Sequence, residues 1–247
     1  MFIFKFLYHR MSRSALRQII QGRMRVREKP EAGRFLQTDV RKIYDDGWSN
    51  IEKILQNSDL SEIPTLGNRH NVFLAIITVG MYHALLDAGI ERSYAIELLA
   101  DVGWKIYGKF IPIPKRIARL ATSNPQHQIN LILRMFMRFP FNAPGRPGYE
   151  VRAWAEEDRF LTYWTFCPPF HFVKQYTEMN GDRGELEVFD RTWCSFDWAL
   201  TYAMTEGSGK SGYYARPHTL SRGDDVCDMC WSAEQTDESI RVAFPAV

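Results

Sequence analysis

Apolar residues in the first half of the chain recur at intervals of three and four positions, which is the spacing of an amphipathic helix. At residues 39–57, Val40 and Ile43 begin an apolar stripe along one side of such a helix. Pro112 and Pro114 are expected to end the third helix, because proline cannot donate a backbone hydrogen bond. We predict four helices in this half, at residues 39–57, 69–88, 91–110 and 125–138.

The pattern changes after residues 139–148, a segment rich in proline and glycine that predicts a loop. Aromatic and β-branched residues then predict strands, and the last two strands form a hairpin. The predicted strands lie at residues 149–155, 160–166, 213–220 and 226–232, and further helices are predicted at residues 170–179 and 193–204. The sequence therefore predicts an α+β fold, with a helical N-terminal half followed by a small antiparallel sheet with flanking helices.

The length and the charge distribution suggest how the chain is organised. A chain of 247 residues fits one large domain or two small ones. Residues 1–42 carry eleven basic and three acidic side chains, although the whole chain has a net charge of only +2. We predict a basic, partly disordered N-terminal arm at residues 1–38. The helical region at 39–138 and the cysteine-containing α+β region at 149–234 are expected to form one continuous domain.

The basic arm allows two interpretations, a solvated leader or a surface for nucleic acid or an anionic membrane. Its basic run lacks the interleaved aromatic residues on which proteins that bind single-stranded nucleic acid stack the bases. We therefore expect no nucleic-acid partner. The longest apolar stretch, residues 72–86, is shorter than the roughly 20 residues that span a bilayer. No secretory signal is recognisable at the N-terminus. We therefore expect a cytoplasmic protein without a membrane span.

All four cysteines lie in the last third of the chain. In a cytoplasmic protein this favours a catalytic or metal-binding role over disulfides, and the alternative is that each cysteine is a small buried apolar residue. Cys194 and Asp197 are three residues apart, so on a helix they share a face. Cys167 is expected between a strand and a helix, where the helix N-terminus would favour the thiolate.

Residues 216–231 concentrate the remaining chemistry, with Arg216, His218, Asp228 and two cysteines in a predicted hairpin. Because side chains alternate along a strand, Cys227 and Cys230 are predicted to face opposite sides. A two-sulfur chelate is therefore not expected, and no metal ligand is assigned. The cofactor stays open, since a divalent metal is possible but nothing in the sequence requires one.

The order of these motifs resembles the L-2-amino-thiazoline-4-carboxylic acid hydrolase family. The matching residues are Cys167-Pro168, Cys194 with Asp197, residues 216–220, Gly223-Asp224 and Cys227-Asp228. Members often continue Cys-Asp with Phe and a basic residue, where this chain has Met229 and Cys230. The C-terminal part also looks like the 4-vinyl-reductase type of ligand-binding domain.

The resemblance implies a hydrolase that opens a small cyclic amidine, an aminothiazoline carboxylate, at a C–N bond to give a carbamoyl-cysteine product. Cys194 or Cys227 would be the nucleophile, or would lie beside an activated water. Asp228 or Asp197 would carry the proton. The resemblance and the motifs together assign catalytic roles to Cys194, Asp197, Cys227, Asp228 and His218, and substrate binding to Arg216 and Cys167.

In these assignments His218 is a second acid–base group, and Arg216 holds the substrate carboxylate. One alternative is a non-catalytic domain that binds a small ligand or a metal through the cysteine and aspartate cluster. In that case aromatic residues would line the ligand cavity: Tyr163, Trp164, Trp193, Trp198, Tyr213 and Trp231. A third hypothesis is an interaction module whose basic arm docks on an acidic partner. The oligomeric state is not predicted.

Overall fold

The computed structural model describes residues 2–23 and 36–235. The helices are α1 (Phe2–Arg23), α2 (Gln37–Gln56), α3 (Leu66–Asp87), α4 (Arg92–Tyr107), α5 (Pro112–Ala121), α6 (Pro125–Arg138), α7 (Pro168–Asn180), α8 (Glu185–Phe189) and α9 (Phe196–Thr205). The strands are β1 (Glu150–Ala155), β2 (Phe160–Phe166), β3 (Tyr213–Ala215) and β4 (Cys227–Ser232). The predicted α+β fold, with a small antiparallel sheet and flanking helices, is confirmed.

The N-terminal helices pack around α3, which is buried along most of its length. The apolar stripe of α2 faces α3, as its spacing predicts. Gly80 lets the two backbones come close, because a Cβ atom there would lie 2.5 Å from Ile51 Cγ1 and 2.9 Å from the Ile51 nitrogen. Thr65 begins α3 by accepting a hydrogen bond from the Asn68 backbone nitrogen.

The first part of the predicted basic arm is a packed helix. Tyr8 and Leu16 of α1 are buried against the helical core, and Tyr44 donates a hydrogen bond of 2.5 Å to the His9 carbonyl. Residues 2–23 of the arm, which was predicted to be partly disordered, therefore form a helix whose apolar face is covered by α2 and α4. The remainder of the arm, residues 24–35, lies outside the described residues.

The third predicted helix does end before Pro112, since α4 ends at Tyr107 and a 3₁₀ turn follows at Gly108–Phe110, but α5, which was not predicted, begins at Pro112. Both prolines lie in the first turn of α5, where the backbone N–H groups have no partner within the helix. Pro125 occupies the same position in α6, and Asn124 accepts a hydrogen bond from the His127 nitrogen. Proline thus begins helices at both places.

The sheet has the strand order β1-β2-β4-β3, and all neighbouring strands are antiparallel. The predicted hairpin exists, but its first strand ends at Ala215 rather than at residue 220. Pro217 cannot donate to a strand ladder, and the nitrogen of His218 instead donates to the Asp228 side chain at 2.7 Å. Residues 216–226 therefore leave the sheet as an excursion between β3 and β4.

The two faces of the sheet have different surroundings. We call the side that carries Tyr214, Trp231 and Cys227 the inner face, and the side that carries Asp228 and Cys230 the outer face. The inner face packs against α6 and α9. A separate core lies among α1–α4, α7 and α8, and a small cluster containing Cys227 lies at the inner face. Within the described ranges, no helix has both the length and the apolar character to cross a bilayer.

Candidate functional site

Five residues that are distant in sequence meet at the inner face, and we call this group the cysteine recess: Cys167, Cys194, Asp197, Arg216 and Cys227. Each is placed by the end of an element. Cys167 lies between β2 and α7, Cys194 ends a π-helical turn before α9, and Asp197 is in the first turn of α9. Arg216 follows β3, and Cys227 begins β4.

Electrostatic effects show that these side chains share one space. The charge of Arg216 lowers the pKa values of the Cys194 and Cys227 thiols, opposing the effect of burial. Burial raises the pKa of Cys167 most, and the nearby Cys194, Cys227 and Asp197 side chains raise it further. The structure therefore brings together five of the seven predicted site residues.

The π-helical turn Asp190–Cys194 fixes one wall of the recess. Gly103 of α4 lies directly behind it, since a Cβ atom there would be 2.9 Å from both Thr192 and Phe196. Ser221 Oγ donates to Asp190 Oδ1 at 2.6 Å and lies 3.4 Å from Cys194 Sγ. The excursion between β3 and β4 is thus tied to the turn that carries Cys194.

Asp197 is the group best placed for proton transfer. Burial raises its pKa to about 6, against the opposing effects of Arg216 and of the Tyr214 hydroxyl. Arg216 Nη1 lies 3.3 Å from Asp197 Oδ2, and Tyr214 Oη donates to the same oxygen at 3.1 Å. The Asp197 side chain still keeps 23% of its exposure. The Asp197 carboxyl group is thus largely desolvated but is not completely sealed from solvent.

Arg216 has capacity to bind an anion. Burial opposes its charge, but Tyr214 and Asp197 outweigh that effect and hold its pKa above the usual range. Its side chain is 8% exposed, and within the described residues Asp197 Oδ2 is its hydrogen-bond acceptor. A guanidinium group has five N–H donors, so several remain for a ligand.

The thiols of the recess are neutral at physiological pH. Burial raises the pKa of Cys194 to about 12 and that of Cys227 to about 11. It raises the pKa of Cys167 well above the usual range and outweighs the hydrogen bond from the Phe170 backbone. At Cys167 the desolvation by burial thus exceeds the effect of the helix N-terminus, which agrees with the alternative of a buried, apolar cysteine.

Asp228 and His218 do not line the recess. Asp228 lies on the outer face, opposite to Cys227, and is hydrogen-bonded to His218 through both the backbone nitrogen and ring Nδ1, each at 2.7 Å. The hydrogen bond that the His218 ring donates to Asp228 raises the pKa of His218, whose ring is largely exposed. The pair thus holds the excursion that carries Arg216 and Ser221, and its acid–base role stays a prediction.

The two strand cysteines do face opposite sides, as strand alternation predicts. Cys230 is on the outer face, where burial raises its pKa to about 11 against the nearby charge of Arg159. Within the described residues, 2–23 and 36–235, no three His, Cys, Asp or Glu side chains lie close enough together to hold a metal ion. The described geometry therefore offers no support for a metal site.

Two tyrosines of the site were missed from the sequence. Tyr214 could have been found, because it lies two positions before Arg216 and strand alternation places both on one side. Tyr149 had no such signal. Its hydroxyl accepts a hydrogen bond of 2.9 Å from Asn71, which contacts His70, and charges on Cys167 and Cys194 act on it.

The aromatic residues suggested as a cavity lining are divided by the fold. Tyr163 and Tyr213 belong to the outer face. Trp198 is 60% exposed. The remaining three have inward positions: Trp164 and Trp231 on the inner face, and Trp193 with its indole donating to Thr78. The set as a whole therefore does not enclose one cavity.

No protein-family model, curated protein or solved structure matches this chain. The resemblance to the aminothiazoline carboxylate hydrolases therefore stays a prediction.

Proposed function

We propose that the protein is a hydrolase that opens a small cyclic amidine bearing a carboxylate, at a C–N bond. The observation that carries the proposal is the Asp197 carboxyl, held by Arg216 and Tyr214 in a recess beside Cys194 and Cys227. A cation for the substrate carboxylate and a group that exchanges protons near neutral pH stand next to each other, as this reaction requires.

Arg216 is the carboxylate clamp. It is largely desolvated, which strengthens its attraction for an anion, and a guanidinium group binds a carboxylate in a bidentate manner. Its contact with Asp197 is long, at 3.3 Å. A substrate carboxylate can therefore bind the remaining N–H donors while Asp197 stays in place.

Asp197 is the general base and then the general acid. It accepts a proton from water as the water oxygen bonds to the amidine carbon between sulfur and nitrogen. The C–N bond of the ring then breaks as the hydroxyl of the adduct becomes a carbonyl, and the departing nitrogen receives that hydroxyl proton together with the proton returned by Asp197, so it leaves as an amine. The product is an open-chain carbamoyl compound one water heavier. A pKa of about 6 suits both steps.

Water is assigned as the nucleophile because the raised pKa values of Cys194 and Cys227 keep both thiols protonated. The thiols then line the recess as polarizable contacts for a sulfur-containing ring. All four cysteines are free, which fits the reducing cytoplasm as the compartment in which the enzyme acts.

The test is incubation of the full-length protein with 2-aminothiazoline-4-carboxylate, followed by mass detection of a product one water heavier. We expect Asp197→Asn to lower kcat by at least about 100-fold. Asp225→Asn, at an exposed position in the excursion, is the matched control and should turn over normally. Cys194→Ala and Cys227→Ala are expected to keep most of their activity.

Each outcome has a defined meaning. Absence of product from the wild-type protein, or full turnover by Asp197→Asn, would overturn the proposed reaction. Loss of turnover in Cys194→Ala, with normal folding, would overturn water as the nucleophile and make that thiol the attacking group. Circular dichroism of Asp197→Asn and Cys194→Ala, compared with that of the wild type, checks that both variants fold normally.

A second candidate is a domain that binds a small anion without chemistry. The protonated thiols and the incompletely used donors of Arg216 favour it. In that case 2-aminothiazoline-4-carboxylate should raise the Tm of the wild type but not of Arg216→Met, and mass detection should find no product. Stabilisation together with turnover would exclude this candidate.

A further inference from the structure

The side of α5 that faces solvent is apolar. Ile113, Ile117 and Leu120 are 70%, 51% and 82% exposed. Positions separated by four and by seven residues fall within an arc of roughly 60° on a helix of 3.6 residues per turn. The three side chains therefore form one stripe, which we call the α5 stripe.

The stripe lies opposite to the side by which α5 packs. Ala118 and Ile111 face the second core, among α6, α9 and the inner face of the sheet. A surface helix normally has polar residues opposite to its buried side. Here α5 has apolar residues on both sides, and no described residue covers the outer one.

The charges of α5 are all basic. Its charged residues are Lys115, Arg116 and Arg119, and Lys109 precedes it. Lys115 pairs with Glu206 at 3.0 Å, and Arg119 donates to the Glu206 carbonyl. Within the described residues Arg116 has no acceptor, and it borders the stripe. The side chains of Lys115, Arg116 and Arg119 also line a cleft of about 550 Å³ beside α9.

We propose that the α5 stripe docks on the surface of an anionic lipid membrane. Exposed apolar side chains flanked by Lys and Arg are the features by which a helix lies in a bilayer interface. Ile113, Ile117 and Leu120 enter the acyl boundary, and Arg116 and Lys109 contact lipid phosphates. A membrane surface of anionic lipid offers acyl chains for the three exposed aliphatic side chains and phosphates for the basic residues beside them.

The proposal is independent of the hydrolase proposal, because neither the stripe nor its cations belong to the cysteine recess. The two can fail separately. If the protein opens the amidine ring but does not bind vesicles, only the membrane proposal fails. If it binds vesicles but has no turnover, only the hydrolase proposal fails.

The experiment is co-sedimentation of the full chain with vesicles of phosphatidylcholine alone or mixed with phosphatidylglycerol. We expect binding to the anionic vesicles that weakens with salt, and much less to the neutral ones. The triple variant Ile113→Ser, Ile117→Ser, Leu120→Ser should lose at least about tenfold in partitioning, because three buried aliphatic side chains contribute to it. Arg116→Gln should reduce the preference for anionic lipid.

Met179→Ser is the matched control, since this α7 side chain is 76% exposed and lies away from α5. It should partition like the wild type. Equal binding of wild type and triple variant, or no binding to anionic vesicles, would overturn the proposal. It would also be overturned if light scattering showed a wild-type dimer and a monomeric triple variant, since the stripe would then bind a second copy. Thermal melting checks that the exposed substitutions leave the fold intact.

Discussion

Two buried carboxyl groups, those of Glu185 and Asp197, are held in opposite ways. Glu185 is fully buried at the start of α8 and lies 2.5 Å from His83 Nε2 and 2.5 Å from the Arg183 nitrogen that donates to it. Asp197 has contacts of 3.3 Å and 3.1 Å with Arg216 and Tyr214. Both groups are desolvated, but only Glu185 receives short hydrogen bonds.

The pKa values follow this difference. Burial raises the pKa of Glu185, but hydrogen bonds from His83 and from the backbone outweigh it and lower the value to about 2. At Asp197 burial prevails over Arg216 and Tyr214, and the pKa rises to about 6. Close donors thus convert one carboxyl into a permanent anion that joins α8 to α3. Distant donors leave the other able to exchange a proton.

The largest effect is expected where the permanent anion is removed. Glu185→Gln removes the buried charge that accepts hydrogen bonds from His83 and from the Arg183 nitrogen, and each hydrogen bond to a charged group contributes about 1.5–3 kcal/mol to the free energy of unfolding. Urea denaturation measures it. The control is Glu187→Gln on the same short helix, whose pair with Arg92 is exposed and contributes little. Equal, small losses in both variants would contradict the structural role of Glu185.

The pH dependence of stability should have opposite signs at the two sites. Glu185 has a folded pKa of about 2, below its ordinary 4.5, so its contribution is present above pH 4.5 and is lost as the pH falls toward 2. Asp197 has a folded pKa of about 6, above its ordinary 3.8. Its contribution is present below pH 3.8 and is lost as the pH rises through 6.

This second prediction is measured as the difference in unfolding free energy between the wild type and Asp197→Asn. Between pH 4 and pH 7 the wild type should lose about 2–3 kcal/mol relative to the variant, since one pKa unit corresponds to 1.36 kcal/mol. Asp225→Asn should show no such trend. A flat difference for Asp197→Asn would mean that its pKa is not raised.

The contrast also shows what the sequence could supply. Features that depend on local spacing were predicted well: α6 and β2 were found at their observed bounds, and the separation of Cys227 from Cys230 followed from strand alternation. Helix α5 was missed because proline disrupts a helix when it lies in the interior but is favoured in the first turn. Only its position within the helix distinguishes the two cases.

Contacts between distant segments could not be found in this way. His83 and Glu185 are 102 residues apart, and neither lies in a pattern that indicates the other. The sequence also grouped Asp228 with Asp197 as proton carriers, because both lie near a cysteine in the chain. Asp228 lies on the strand face opposite to Cys227, and which face packs against α9 is a property of tertiary packing that the sequence pattern does not give.

The third prediction removes the main donor of Asp197. Arg216 lowers the pKa of this carboxyl, so Arg216→Met should raise it above 6. If the proposed reaction holds, the acidic limb of the kcat/KM profile moves to higher pH and KM rises, because the carboxylate clamp is lost. Carbon-13 NMR titration of Asp197 measures the pKa without relying on turnover.

Arg222→Met is the control for that change, because Arg222 contacts Asp190 at 3.4 Å and does not contact Asp197. Its titration should match the wild type. An unchanged Asp197 midpoint in Arg216→Met would show that the ion pair does not form in solution.

The smallest effect is expected at Tyr214, which adds a single hydrogen bond of 3.1 Å to a carboxyl already near a full positive charge. Tyr214→Phe removes that donor, and a net contribution of about 1 kcal/mol corresponds to a rise in the Asp197 pKa of less than one unit. Tyr213→Phe changes the neighbouring residue on the outer face and should leave the titration unchanged. A shift as large as that of Arg216→Met would mean that short-range hydrogen bonding, rather than the charge of Arg216, sets the pKa of Asp197. Asp197 would then be controlled by the same kind of donor as Glu185, and hydrogen-bond length alone would separate the two sites.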